Sequence, residues 1–368
     1  MDAITKSIVE EVSKIISPVY LVGGPLRDSI LARPINDYDF CTPLTPDQIE
    51  EAVQKAGRKA FVTGKRFGTI GFKAMIDKVP YMVEVTTFRT ETYEEGNRKP
   101  TVEFVNDITH DLSRRDFTIN AMAFRDGKII DPFNGQEDLK SKLLRAVGTP
   151  SHRFKEDPLR MLRVARFASQ LGFNVDAKTE EAVADKPHRI LTVSKERWMT
   201  EMDKILMSPN PGVGLDFLMR TRLINFMIPE LSIQNGYDQN SKYHSHDLWT
   251  HTKLVVEKAP NTIECKWAAL LHDIAKPFVR TDDDWKIKEI KECNKDWRNP
   301  TVRTKFFDDK WHEQTSHYIK HDLVGAEMVD KIALYLKWSN DRHEQVRNLV
   351  LTHLTDGCLI RQADKDGH

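Results

Sequence analysis

The stretch VYLVGGPLRDSILARPINDYDFCT, residues 19–42, decides the reading of the first half of the chain. Its apolar start, VYLVGG (19–24), reads as a buried strand that ends in a glycine turn. A helical pattern follows, and DYDF (37–40) is a second short strand. Outward from there, GTIGFKAM (68–75) and YMVEVTTF (81–88) are longer strands, and Asp47 to Ala56 has helical spacing. Strands that alternate with helical patterns over the first 135 residues describe an α+β head.

The same stretch carries chemistry. Glycines at the end of a strand let main-chain N–H groups approach a phosphate at a helix N-terminus. Arg27, three residues after Gly24, can clamp that triphosphate with a bidentate fork. Asp37 and Asp39 stand two apart, which on a strand puts both carboxylates on one face. Paired carboxylates on a rigid strand suit two Mg²⁺ ions around a phosphate under in-line attack. Glu84, on a later strand, is the candidate third carboxylate. The plainer alternatives are a glycine turn, a solvated acidic strand end and an edge-strand glutamate.

Two further segments extend the constellation. In SRRDFTINAMAF (113–124), Arg115 can contact phosphate or base and Asp116 can accept from a ribose hydroxyl. A helix start with Asp116 near the cap explains the same residues structurally. DPFNGQEDLKSKLLRAVG (131–148) reads as a turn into a helix, with a hinge at Gly135. In EDPLRMLRVARF (156–167), Asp157 and Arg160 are expected at i and i+3 on one helix. A carboxylate only accepts and a guanidinium only donates, while cytosine and adenine each present an amino donor beside a ring-nitrogen acceptor. One Asp and one Arg can thus select C and A without a template; an ordinary intrahelical ion pair is the bland reading.

Charge argues against a polycationic coat on nucleic acid and leaves room for a local basic groove. Lys plus Arg and Asp plus Glu number 55 each, so the chain is neutral overall. Residues 1–57 hold five basic and nine acidic side chains, and residues 112–172 hold twelve basic and seven acidic. Thirty percent charge at zero balance with 40% hydrophobic residues is a folded chain, not a disordered tail. Cys41, Cys265, Cys293 and Cys358 are scattered, which argues against a disulfide framework or a zinc ribbon. No apolar run approaches the ~20 residues that span a bilayer, and the start lacks a signal-peptide core. The expectation is a soluble cytoplasmic protein.

With GGxxRD, DxD, RRDFTINAM, DPxxGxxDL and EDPLRMLR in order from about Tyr20 to Gly172, the chain resembles the class II tRNA nucleotidyltransferases, that is, CCA-adding enzymes and bacterial poly(A) polymerases of the polymerase-β superfamily. SKERWMTEMDKIL (194–206) is similar to that family's following helical element. The resemblance implies Mg²⁺ at Asp37 and Asp39, and the incoming triphosphate at Gly24 and Arg27. It implies nucleotide contacts at Arg115 and Asp116, base reading by Asp157 and Arg160, and support of the site or tRNA end by Arg163 and Arg166. LARP (31–34) departs from the family's small-residue loop. A basic pair followed by Phe in GKRFGTIGFK (64–73) is similar to a poly(A) polymerase signature. The long basic C-terminal extension of those polymerases is not in this sequence, and CCA addition to tRNA from CTP and ATP is favoured over poly(A) or A-only addition.

From Leu248 the text changes. WTHT places His251 early on a helix, AALLHDIAKP places His272 and Asp273 at the end of an apolar one, and RQAD supplies Asp364. HDLVGAEM and THL add His321 and His353. Remote His and Asp with an adjacent His–Asp pair form a ligand set for a divalent transition metal in a helical bundle. The spacing resembles the HD phosphohydrolase domain and implies phosphatase or cyclic phosphodiesterase chemistry at His251, His272, Asp273 and Asp364. Packed histidines in a structural domain are the alternative.

The expected organisation is an α+β nucleotidyltransferase head over 1–137, a helical neck and body with nucleotide- and RNA-binding elements over 138–230, and a helical HD domain over 246–368. Residues 280–315, charged and weakly periodic, read as an exposed insertion. The implied partners are a tRNA 3′ end, CTP and ATP, with no membrane and no stable protein partner. Rival readings are an HD phosphohydrolase with a degenerate head, and a tRNA-binding protein without catalysis, which has no need of two acids facing a phosphate.

Overall fold

A computed structural model describes residues 1–92, 101–240, 246–282, 316–355 and 357–367. The expected insertion therefore lies almost wholly outside the described residues. The chain divides into two compact units, Met1–Val164 with Phe173–Lys186, and Ala165–Gly172 with Pro187–His368.

The first unit opens with helix α1 (Ala3–Ile15), capped by Asp2, whose carboxylate accepts from Thr5 N–H. Then come β1 (Tyr20–Val22), α2 (Gly23–Ile30), β2 (Asp37–Thr42) and α3 (Pro46–Lys55). Helix α3 starts where Thr45 and Gln48 form a reciprocal capping box with Pro46 just inside. Strands β3 (Thr69–Ile76) and β4 (Val79–Thr87) follow, then the hairpin β5 (Arg89–Thr92) and β6 (Thr101–Phe104). After α4 (Ile108–Ser113), strands β7 (Ala123–Arg125) and β8 (Lys128–Ile130) complete a six-stranded sheet of order β3-β4-β2-β1-β7-β8. Only β2 and β4 pair in parallel within it. Their register sets Asp39 beside Glu84. Alternation does the rest: Tyr38 and Phe40 are buried while Asp37 and Asp39 face out. Farther along the sheet, Val22, Cys41, Phe88, Leu112, Ala121, Ala123 and Val147 make an apolar cluster, with Cys41 on the Asp39 side of β2.

Helices α5 (Gly135–Lys140), α6 (Pro150–Glu156) and α7 (Leu159–Leu171) follow, and the boundary between units falls inside α7. Gly135 is a packing position instead of the expected hinge: a Cβ there would lie 2.3 Å from the Thr118 carbonyl oxygen. Asp131 fixes the same turn by accepting from Gly135 and Gln136 N–H. The hairpin and the β7–β8 pair escaped the sequence reading because neither contains a long alternating apolar run.

The second unit is helical. Its principal helices are Lys195–Leu206, Pro211–Arg220, Leu248–Lys258, Ile263–Leu271, His321–Leu336, Asn340–Thr352 and Arg361–Asp366. Trp198 and Trp267 are fully buried, and each indole N–H finds an acceptor, Ile190 O and Asp203 Oδ1. No helix among the described residues is long and apolar enough to cross a membrane.

Candidate active site and metal centre

The head site is built on three adjacent pieces of backbone. Strand β1 delivers Gly23 at φ 68°, a left-handed conformation that glycine adopts without strain. A Cβ on Gly23 would sit 3.0 Å from Arg115 Nη1 and 3.8 Å from Asp39 Oδ2. The residue is therefore glycine for two reasons, and Arg115 and Asp39 converge on it. Arg115 donates to Asp111 Oδ2 at 3.2 Å. Asp111 is fully buried and also accepts from Arg114, so two guanidiniums keep its carboxyl below the usual range against its burial.

Asp39 is pushed the other way, up to about 6. Withdrawal of its carboxyl from water is the largest cause; Glu84 and Asp37 add to it and Arg115 opposes it. The residue is open to solvent at the surface, so the shielding is that of a shallow hollow. Three carboxylates with one opposing guanidinium leave this hollow short of positive charge. Hard carboxylate oxygens in that state fit Mg²⁺. They are not gathered as tightly as a closed metal cage, in contrast to the second site below.

A continuous polar chain runs beside the hollow. Arg27 forms a fork on Asp28, 2.9 Å from Nε and 2.7 Å from Nη2, and donates Nη1–H to Asn120 at 2.8 Å. Asn120 donates to Asp116 Oδ1 at 3.1 Å, and Arg163 donates to Asp116 Oδ2 at 2.8 and 2.5 Å. Burial would raise Asp116, but Arg163 and Asn120 pull it down to about 2. Gly24 lies at the Arg27 end of this chain, where a Cβ would be 3.7 Å from Nη2.

The base-reading pair differs from the expected geometry. Asp157 lies in the break between α6 and α7, not on a helix with Arg160, and its carboxylate accepts from Leu159 N–H at the start of α7. The following Pro158 disfavours helical backbone at Asp157 and produces the break. Arg160 pairs with Glu156 at 2.7 Å and donates to the carbonyls of Arg153 and Arg114. The structure thus groups Gly23, Gly24, Arg27, Asp39, Glu84, Arg115, Asp116 and Arg163, with Asp37 on the same strand face. Arg166 is not among them: it is buried and pairs with Glu201 at 3.0 Å within the second unit. The sequence reading passed over Asp28, Asp111 and Glu156, although Asp28 and Glu156 each stand inside a quoted motif.

The second site is tighter. His251, His272, Asp273 and Asp364 hold ligand atoms within 4.8 Å of one another, as do Asp273, His321 and His353, all buried. His251 Nε2 lies 3.2 Å from both Asp273 and Asp364 carboxylates, and His272 Nε2 lies 3.1 and 3.4 Å from them. His321 Nε2 is 3.2 Å from the other oxygen of Asp273. Asp273 therefore bridges two ligand groups. Each imidazole turns its Nδ1 to a main-chain carbonyl: Gly367 for His251, Ala269 for His272, Tyr318 for His321 and Val350 for His353. With Nδ1–H donated there, Nε2 carries a lone pair. Yet Nε2 faces Nε2 at 3.1 Å in both the His251–His272 and His321–His353 pairs. Facing lone pairs are what a shared cation would join. In the His251–His272 pair burial opposes a proton, but Asp273 and Asp364 push His272 up to about 10. In the other pair burial pushes His353 down to about 4. The mixed imidazole and carboxylate donors fit divalent transition metals. Lys276, 2.7 Å from Asp273, was passed over in the sequence; its spacing of three from Asp273 on a helical segment was the available signal.

Comparison with known proteins places this geometry. Residues 19–145 match the family described as poly A polymerase head domain, 172–234 the probable RNA and SrmB-binding site of polymerase A, and 242–360 the HD domain. A curated CCA-adding enzyme of Anoxybacillus flavithermus is 34% identical over 304 residues, covering 78% of this chain and 74% of that protein. The chain belongs to the CCA-adding enzyme family. The family's Bacillus subtilis protein is 44% identical over 284 residues, covering 74% of this chain and 66% of its own length. The Lactiplantibacillus plantarum protein is 40% identical over 224 residues, covering 60% of this chain and 53% of its own. The chain thus spans between half and two thirds of the length of these last two relatives. The family fold recurs in the crystal structure of the Bacillus stearothermophilus CCA-adding enzyme in complex with CTP, at a TM-score of 0.60 and 24% identity over 100% of this chain and 82% of that one. An apo CCA-adding enzyme structure gives 0.65 and 22%, covering 100% of this chain and 83% of that one.

Proposed function

We propose that the chain adds C, C and A to tRNA 3′ ends from CTP and ATP. The observation that carries this reading is the register that sets Asp39 beside Glu84, with Arg115 and Gly23 closing the same hollow. Asp37, Asp39 and Glu84 would hold Mg²⁺, which when bound supplies positive charge to the triphosphate and to the attacking 3′-hydroxyl. Gly23 leaves room for a phosphate close to the backbone, and Arg115 presents its guanidinium at that opening. Arg27, spread between Asp28 and Asn120, is held in place for the triphosphate. Asp116, held ionised by Arg163, is an acceptor for a ribose hydroxyl. Matches over 19–145, 172–234 and 242–360 support division into a head (1–137), a neck and body (138–230) and an HD domain (246–368). The decisive experiment is incubation with tRNA lacking CCA, Mg²⁺ and single nucleotides. CTP, then ATP, should be incorporated; incorporation of neither overturns the reading, and long ATP-only tails on unstructured RNA favour poly(A) synthesis.

Asp157 and Arg160 are the proposed readers of the base edge. Arg160 engages its neighbours through Nη1 and Nη2, and its Nε–H is not among those bonds. A bidentate pair is worth about 1–3 kcal/mol of base discrimination. Arg160→Ala should therefore narrow the preference for CTP and ATP over UTP and GTP by roughly five- to a hundredfold. Unchanged ratios of kcat/KM across the four nucleotides would remove Arg160 from the role.

A second activity is favoured by the bridged ligand groups around Asp273. Metal-dependent release of phosphate from nucleotide monophosphates or 2′,3′-cyclic phosphates is the chemistry that such a centre supports.

A further inference from the structure

Phe67 and Phe104 are large apolar side chains left 44% and 46% exposed. Their positions are built by three contacts. Phe67 ends a single helical turn, Lys65–Phe67, just before β3. Phe104 ends β6 in register with Arg89. Gly68, at φ 86°, admits the Phe104 ring so closely that a Cβ would lie 2.9 Å from its Cε1. Arg89 ties the two segments, donating to the main-chain oxygen of Phe67 while pairing with Glu91 at 2.9 Å.

A cation lies beside these rings. Arg66 is exposed, its guanidinium lies 4.4 Å from the centre of the Phe67 ring, and it has no carboxylate partner among the described residues. Its neighbour Lys65 is claimed by Asp47 and Glu50, each at 2.6 Å. Exposed aromatic rings with an exposed guanidinium over one of them suit a nucleobase and the phosphate attached to it.

The patch also meets the end of β4, the strand that carries Glu84. The Gly68 carbonyl accepts from Thr87 N–H at the end of β4, and the Thr69 and Thr86 hydroxyls are 2.9 Å apart. Thr86 is two residues from Glu84 and so on the same strand face. At about 3.3 Å per residue, the end of β4 is roughly 10 Å from Glu84.

We propose that Arg66, Phe67 and Phe104 form a stacking platform for the unpaired 3′ end of the RNA being extended. The proposal rests on the nucleotidyl-transfer reading and names where that site takes its acceptor. The test uses a stem RNA with a single-stranded 3′ end carrying 2-aminopurine, bound to the full chain without nucleotide. Fluorescence quenching on wild-type protein should be relieved by Phe67→Ala, with Kd raised about tenfold, whereas Phe67→Trp retains both. Phe104→Ala should weaken binding in the same direction. Arg66→Ala should lower the slope of log Kd against log salt by about one. In turnover, KM for RNA should rise in Phe67→Ala while KM for CTP and ATP stays constant. Equal binding and quenching by wild type and Phe67→Ala overturns the platform, as does equal weakening in the Ala and Trp variants, which marks a packing role. Loss of self-association with RNA binding unchanged assigns the patch to protein contacts and also overturns it. Phe67-dependent quenching by a wild-type protein that transfers no nucleotide would uphold the platform and sink the transfer reading alone.

Discussion

Asp39→Asn should reduce nucleotidyl transfer by about a thousandfold or more while raising the thermal midpoint of the metal-free protein at pH 7. The two effects share one cause. The Asp39 carboxyl sits in its hollow with Glu84 and Asp37, so its pKa in the folded chain is about 6, above the ordinary 3.8. A group whose folded pKa is raised binds its proton more tightly when folded. That contribution is fully present below about 3.8 and is lost as pH climbs through 6, so at pH 7 the ionised carboxylate opposes folding. Asparagine keeps the shape and removes the charge. Mg²⁺ should raise the midpoint of the wild type and leave that of Asp39→Asn nearly unmoved. Thermal scans at pH 5 and 7, with and without Mg²⁺, separate these outcomes. A variant that transfers CTP at the wild-type rate removes Asp39 from metal binding, and a lowered metal-free midpoint refutes the charge argument. tRNA affinity should change little, because the basic stretch over 112–172 is untouched.

The strands that carry the head site were legible because apolar alternation and acidic outward positions occur together in a few residues. Asp37 and Asp39 on one face follow from period two alone, and the structure keeps them there. The neighbour of Asp39 was not legible. Whether β2 lies beside β4 or another strand depends on sheet order, and the Asp39–Glu84 register depends on the parallel pairing. A helix carrying Arg160 was legible, but the partner that each of its arginines serves was not. Arg160, Arg163 and Arg166 are evenly spaced, yet their partners are Glu156, Asp116 and Glu201. Asp157 shows the limit of local spacing. An i,i+3 relation presumes one continuous helix, and Pro158 interrupts it. In the second unit the sequence named the residues of one metal group, and their sharing of Asp273 with His321 and His353 required the packing of five helices.

That sharing makes the strongest quantitative statement about the second site: the chain should take up two transition-metal ions, and His321→Ala should hold one. Asp273 turns one oxygen toward His251 and His272 and the other toward His321, so each ligand group retains its own donors. Removing His321 depletes one group and leaves His251, His272, Asp273 and Asp364 intact. Asp273→Asn weakens both groups and leaves Lys276 buried beside a neutral amide, at a cost on the order of 3–5 kcal/mol. Equilibrium dialysis against Mn²⁺, Co²⁺ or Ni²⁺ with elemental analysis reads the stoichiometry directly. Two ions in wild type, one in His321→Ala and none in Asp273→Asn is the expected series; one ion in both wild type and His321→Ala defeats the bridged arrangement. Uptake should also release protons near pH 7, since His272 surrenders the proton that Asp273 and Asp364 hold on it up to about 10. Saturating metal at about a thousand times its Kd stabilises the folded state by about 4 kcal/mol, so a chelator should lower the thermal midpoint of wild type and not that of Asp273→Asn. Phosphate release from cyclic or monophosphate nucleotides should disappear with the metal in Asp273→Asn. CTP and ATP transfer should persist in that variant, because the carboxylates proposed for transfer, Asp37, Asp39 and Glu84, belong to the other unit.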